Sequence, residues 1–214
     1  MSGLRSTGLR AALVTAPLVL GLLGTAAAPA GAADSPTTRH STSLTCRGAG
    51  VDPDASVRHR TGIVIDAPLH TVWKLQTDVG NWPSWQPPVT TAERLDHGRL
   101  RAGSAFRWTT PIPPNPSTPA TSLEITSTVR QIEQGACIRW TGPAIGEGLR
   151  IEGVHVWTFT KVRGGVRVST EETHTGAQVE ADVPTATRIL REGLESWLRD
   201  LKATAEAAAH GPRH

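Results

Sequence analysis

The chain has 214 residues and a formal net charge of +3, with 22 Lys+Arg against 19 Asp+Glu. Those charges are dispersed, and without a Lys/Arg run the modest basic excess argues against a nucleic-acid partner. Two cysteines so far apart, Cys46 and Cys137, do not make a zinc motif.

Residues 1–33 read as a signal peptide: Arg5 and Arg10, an apolar run from Ala11 to about Leu23, then small residues from Ala26 to Ala33. The apolar run is short of the about 20 residues that span a bilayer, so no stable membrane insertion is expected after cleavage. The mature chain then holds 181 residues, with 20 Lys+Arg against 19 Asp+Glu because both lost charges are arginines. That is one domain of ordinary size plus a tail. A secreted, extracellular protein is expected. Export also changes the meaning of the cysteines: Cys46 and Cys137 can pair as one disulfide. The alternative is one buried thiol and one in a loose tail.

Residues 34–58, rich in Ser, Thr, Pro, Asp and Gly without periodicity, read as a flexible N-terminal segment. The folded domain is expected over 59–209, with 210–214 a disordered tail. A β run at 61–66 leads through Asp66, a candidate cap, into a helix from Leu69 to about Asp78. Its stripe is Leu69, Val72, Trp73 and Gln76. The prolines of 80–88 interrupt any long helix, which leaves Trp82 and Trp85 as candidates for the rim of a pocket. Strands follow at about 89–95, 103–110, 121–132, 136–141, 150–162 and 166–175. The Pro-rich 111–119 segment reads as a rigid connector, and 142–148 as a turn. An amphipathic helix closes the chain from about Pro184 to Ala208, with Leu190, Leu194, Trp197, Leu198 and Leu201 on its apolar stripe. The expected class is α+β: a seven-stranded curved antiparallel sheet gripping a long C-terminal helix, with a ligand space between them.

The run from His155 to His174 is the most informative. Two alternating β segments flank Gly164-Gly165, which suits a two-residue turn. With that turn, His155 faces His174, Trp157 faces Glu172 and Phe159 faces Thr170, all six on one side. Such a face is too polar for plain core and too apolar for plain solvent. His155, Glu172 and His174 are the candidate catalytic or ligand-orienting groups: a carboxylate beside imidazoles can act as an acid/base pair. A hydrogen-bonded patch lining a pocket without turnover is the other reading. A flat hairpin lacks the third dimension of a facial metal site, so no metal and no cofactor are expected. Trp108, Trp140, Trp157, Trp197, Phe106 and Phe159 would supply apolar contact. Arg107, Arg139 and Glu124 alternate with apolar neighbours and read as solvated strand faces.

These pieces, in this order, resemble the START-like helix-grip (SRPBCC) superfamily, and within it the polyketide cyclase/dehydrase and lipid-transport group. The likeness rests on Ile65-Asp-Ala-Pro68 with Val72-Trp73, Asn81-Trp-Pro-Ser-Trp-Gln86, Gly103-Ser-Ala-Phe-Arg-Trp108, Ile138-Arg-Trp-Thr-Gly142, His155-Val-Trp-Thr-Phe159, Glu171-Glu172 with Gly176, and Trp197-Leu-Arg-Asp-Leu201. The resemblance implies a deep hydrophobic pocket gripped by the last helix. Its members include cyclases, aromatases, lipid carriers and hormone receptors, so the fold alone leaves chemistry open. The chain has no tyrosine, so a family mechanism using a phenolic acid does not transfer. The expected partner is a polyketide- or lipid-like molecule, bound without turnover or cyclised and dehydrated by a His/Glu pair. Oligomeric state is not legible.

Overall fold

The computed structural model describes residues 43–114 and 119–211. The expected signal peptide lies outside the described residues, as does the tail beyond Gly211. Seven antiparallel strands form one sheet in the order β1-β7-β6-β5-β4-β3-β2. They are β1 (Val57–Ile65), β2 (Thr91–Arg94), β3 (Ala105–Ile112), β4 (Thr121–Glu133), β5 (Cys137–Gly146), β6 (Leu149–Val162) and β7 (Gly165–Thr175). Helix α1 (Leu69–Thr77) and a 3-10 turn (Val79–Ser84) separate β1 from β2, while α2 (Ala177–Ala181) and α3 (Val183–His210) follow β7.

The apolar stripe of α3 explains how the layers meet. Leu190, Leu194, Leu198, Leu201 and Ala205 are buried, with Leu201 fully enclosed. Asp182 caps the helix by accepting from the Thr185 amide at 3.1 Å, beside a proline in the first turn. At 28 residues the helix is about 42 Å long and runs to His210, which was expected in a disordered tail. His210 instead hydrogen-bonds the Asp66 carbonyl at 2.9 Å. Asp66 does not cap α1, whose N-terminus has no side-chain cap; its amide donates to Glu206 of α3. Among the described residues no helix is long and apolar enough to cross a membrane.

Three local readings are corrected. Residues 142–146, expected in a turn, are the second half of β5. Gly142 permits this, because a Cβ there would lie 1.8 Å from the Thr126 carbonyl oxygen of β4. Pro143 is tolerated because the β4 ladder is interrupted opposite it, where no amide is required. Gly142→Ala is therefore expected to destabilise the domain by about 1–3 kcal/mol in chemical denaturation, the usual cost of overpacking.

Second, residues 43–58 are not a loose lead-in. Cys46, fully buried, forms a disulfide with Cys137, and β1 already begins at Val57. Residues 43–56 make a strap across the outer face of the sheet. Third, Trp82 is fully buried and Trp85 only 8% exposed, because the 3-10 turn folds them inward. Trp82 sits edge-on to Phe106, Trp108 and Trp197 at 5.4, 5.7 and 4.9 Å, geometry that aromatic quadrupoles favour. Its indole N–H donates to the Gln76 carbonyl at 3.2 Å, and Trp197 donates to the Gln76 side chain at 2.9 Å. These contacts lock the 3-10 turn to α1 and α3.

Candidate functional site

The β6–β7 hairpin turns at Arg163-Gly164, and Val162 pairs with Gly165. The expected Gly164-Gly165 turn is thus corrected by a two-residue slip. Gly165 belongs to the strand because it lies against the end of β1: a Cβ there would be 2.0 Å from the Ile65 carbonyl oxygen. A slip of two preserves which face each side chain uses, whereas a slip of one would invert it. His155 consequently faces Glu172, Trp157 faces Thr170, and His174 faces Gly153.

This register places one carboxylate between two imidazoles. Glu172 accepts from His155 Nδ1 at 2.7 Å through one oxygen and from His174 Nε2 at 2.6 Å through the other. Burial pushes the Glu172 carboxyl upward, but attraction to His155 and hydrogen bonds from both imidazoles outweigh it and hold it down to about 2. The group is therefore ionised at neutral pH. An ionised carboxylate only accepts, so both imidazole nitrogens that face it donate. In the neutral rings this leaves His155 Nε2 and His174 Nδ1 as lone-pair acceptors. The His155 ring stacks on Trp140 at 5.3 Å, and Trp140 stacks on Trp157 at 6.2 Å. Gly153 leaves His155 its place, since a Cβ would come within 3.0 Å of Nε2.

All three polar groups line a cavity of about 570 Å³ between α3 and the concave face of the sheet. That volume falls within the range of small-molecule sites. Trp108, Trp140, Trp157 and Trp197 also line it, whereas Trp82, Trp85, Phe106 and Phe159 do not. Phe159 packs edge-on against Trp73 at 5.1 Å instead. Ile112, Ile151 and Ile189 add aliphatic wall.

One neighbour escaped the sequence reading. His59 of β1 pairs directly with Glu172, so His59, Glu172 and His155 form a row across three strands. Its signal was alternation with the buried Val57 and Ile65, visible only once β1 is extended back to Val57. His59 Nε2 lies 3.7 Å from a Glu195 carboxylate oxygen of α3. Burial holds its imidazole below the usual range, against Glu195 and with Arg191. On the outer face, Arg107 pairs with Glu93 and Glu124. Arg139 also points outward, yet the strap covers it, and its Nε donates to the Gly50 carbonyl at 2.7 Å.

A curved antiparallel sheet closed by a long C-terminal helix over an apolar cavity defines the START-like helix-grip fold. The chain belongs to the polyketide cyclase / dehydrase and lipid transport family, whose model matches residues 54–206. Among solved structures it is similar to a START superfamily protein from Mycobacterium smegmatis, at 13% identity and a TM-score of 0.54, covering 71% of this chain and 98% of that one. It is also similar to the Zhui aromatase/cyclase from Streptomyces sp. R1128, at 11% identity and TM-score 0.54, with 72% and 96% covered. A third is the di-domain aromatase/cyclase StfQ of the steffimycin biosynthetic pathway, at 18% identity and TM-score 0.54; the match covers 72% of this chain and 51% of that one. At these identities the likeness speaks to the fold alone. No curated protein matches the chain.

Proposed function

We propose that this protein is exported and binds a small, largely apolar, polyketide- or lipid-like molecule, which it carries without converting. The supporting observation is the cavity itself: four tryptophans and aliphatic walls around the His155–Glu172–His174 cluster, with further polar groups such as Gln86, Arg188 and Glu192 on its lining. The tryptophans supply contact area, and the lone pairs of His155 and His174 accept from a hydroxyl or enol on the ligand. Export is supported by the signal-like residues 1–33 together with the Cys46–Cys137 pair, since disulfides persist in oxidising compartments. Proteomics of the culture medium is expected to find a mature chain starting near Asp34; an uncleaved, cell-retained chain overturns export.

A second reading is favoured by one observation, the single carboxylate that orients two bases. In a cofactor-free cyclase, an imidazole nitrogen removes a proton from carbon next to a carbonyl. The resulting enolate carbon bonds to a second carbonyl carbon, whose oxygen takes up a proton, and a later elimination releases water. His155→Ala separates the readings. For a carrier it weakens binding about 3- to 10-fold, the worth of one hydrogen bond, and no product forms from any bound compound. For an enzyme it cuts turnover about 100- to 10,000-fold while binding largely survives. Product formation from a bound compound by the wild-type protein would overturn the carrier reading.

A further inference from the structure

Side chains adjacent to the site residues point to the opposite face of the sheet. There four of them, Val154, Val156, Glu171 and Thr173, are gripped by the strap. Val154 and Val156, on either side of His155, pack with Leu44, Cys46, Val51 and Cys137 in a small second core. Glu171 and Thr173, on either side of Glu172, are held by hydrogen bonds. Glu171 is 2% exposed and accepts from the Leu44 amide at 2.6 Å, Ser43 Oγ at 3.1 Å and Arg58 Nε at 2.6 Å. Thr173 Oγ1 accepts from the Asp52 amide at 3.3 Å.

The strap is shaped for this. It closes on itself through two backbone bonds between Cys46 and Ala49, of 2.9 and 3.0 Å, with Arg47 and Gly48 at positive φ. Its disulfide anchors it to β5, the strand beside β6. The outer faces of the two strands that carry His155 and Glu172 are thereby tied to one covalently anchored segment. The 2.7 Å contact of His155 to Glu172 depends on β6 and β7 keeping their relative position, whereas the 2.6 Å contact of His174 lies within β7.

We infer that residues 43–56 are a positioning element: the disulfide-held strap fixes β6 against β7 from behind and so holds His155 against the Glu172–His174 pair in ligand-orienting geometry. The use of that geometry rests on the binding function proposed above.

The test compares the wild-type protein with C46A/C137A and, with the disulfide intact, with Val51→Ala, each well below its Tm. The probes are 2-naphthol, which offers an O–H to an imidazole, and naphthalene, which does not. Imidazole ¹⁵N signals of His155 and His174 are recorded alongside. The wild type is expected to prefer 2-naphthol. Both variants are expected to keep naphthalene affinity while that preference falls about 3- to 30-fold, the range over which remote positions tune a site. The imidazole signals should move with it. If both variants lose stability yet keep the wild-type preference and imidazole signals, the strap is only a staple and the inference is overturned, with the cavity reading intact. If the wild type binds neither probe, the cavity reading falls, and the imidazole signals alone decide whether the strap positions the triad.

Discussion

Glu172→Ala is expected to lower the stability of the domain by about 3–5 kcal/mol at neutral pH, the cost of removing one partner from a buried charged network. Glu172 is 5% exposed, and the substitution leaves two imidazole N–H groups facing an empty site. The pH dependence is expected to carry the same signature. The Glu172 carboxyl titrates at about 2 in the folded chain against an ordinary 4.5, so its folded value is depressed. Its stabilising contribution is then complete above pH 4.5 and is lost as pH falls towards about 2. A shift of that size corresponds to about 3 kcal/mol. Urea denaturation of both proteins across that window is the check: the wild-type advantage should shrink steadily with acidification. A pH-independent difference would show that the carboxylate is not ionised between the two imidazoles. Glu172→Gln refines the result, since an amide oxygen accepts from one imidazole while its NH₂ confronts the other.

The second large effect is at the disulfide. Cys46 and Cys137 are 91 residues apart, so their cross-link removes much conformational freedom from the unfolded chain. C46A/C137A is expected to lose about 4–5 kcal/mol by the loop-closure relation. For a domain of this size that corresponds to a fall in Tm of about 8–20 °C. Alanine avoids placing a serine hydroxyl in the small apolar core formed with Val51 and Val156. Guanidinium unfolding of oxidised wild type against the variant measures the loss. A difference below about 1 kcal/mol would mean that hydrogen bonds and apolar packing hold the strap without the cross-link.

How much of this was legible varies with the kind of force involved. The α3 stripe was readable because Leu190, Leu194, Leu198 and Leu201 recur at helical spacing and meet one continuous core. The shared face of His155, Glu172 and His174 was readable because strand alternation depends only on parity. The register was not, because a long-range contact, Gly165 against Ile65, sets it. The strap has no periodicity to read: a cross-link and the buried Glu171 carboxylate hold it, and both partners are remote in sequence. Trp82 and Trp85 looked like rim residues because prolines surround them, yet a 3-10 turn accommodates Pro83 and turns both rings inward. His59 was hidden by the charged start of β1, where Arg58 and Arg60 alternate with it.

The most direct measurement is a crystal structure of the protein soaked with 2-naphthol. The rings should lie between α3 and the concave sheet face against Trp140 and Trp157, with the hydroxyl oxygen in hydrogen-bond reach of His155 Nε2 or His174 Nδ1. A probe found only on the outer surface, with the interior closed by side chains, would contradict a ligand-holding hollow oriented by these imidazoles.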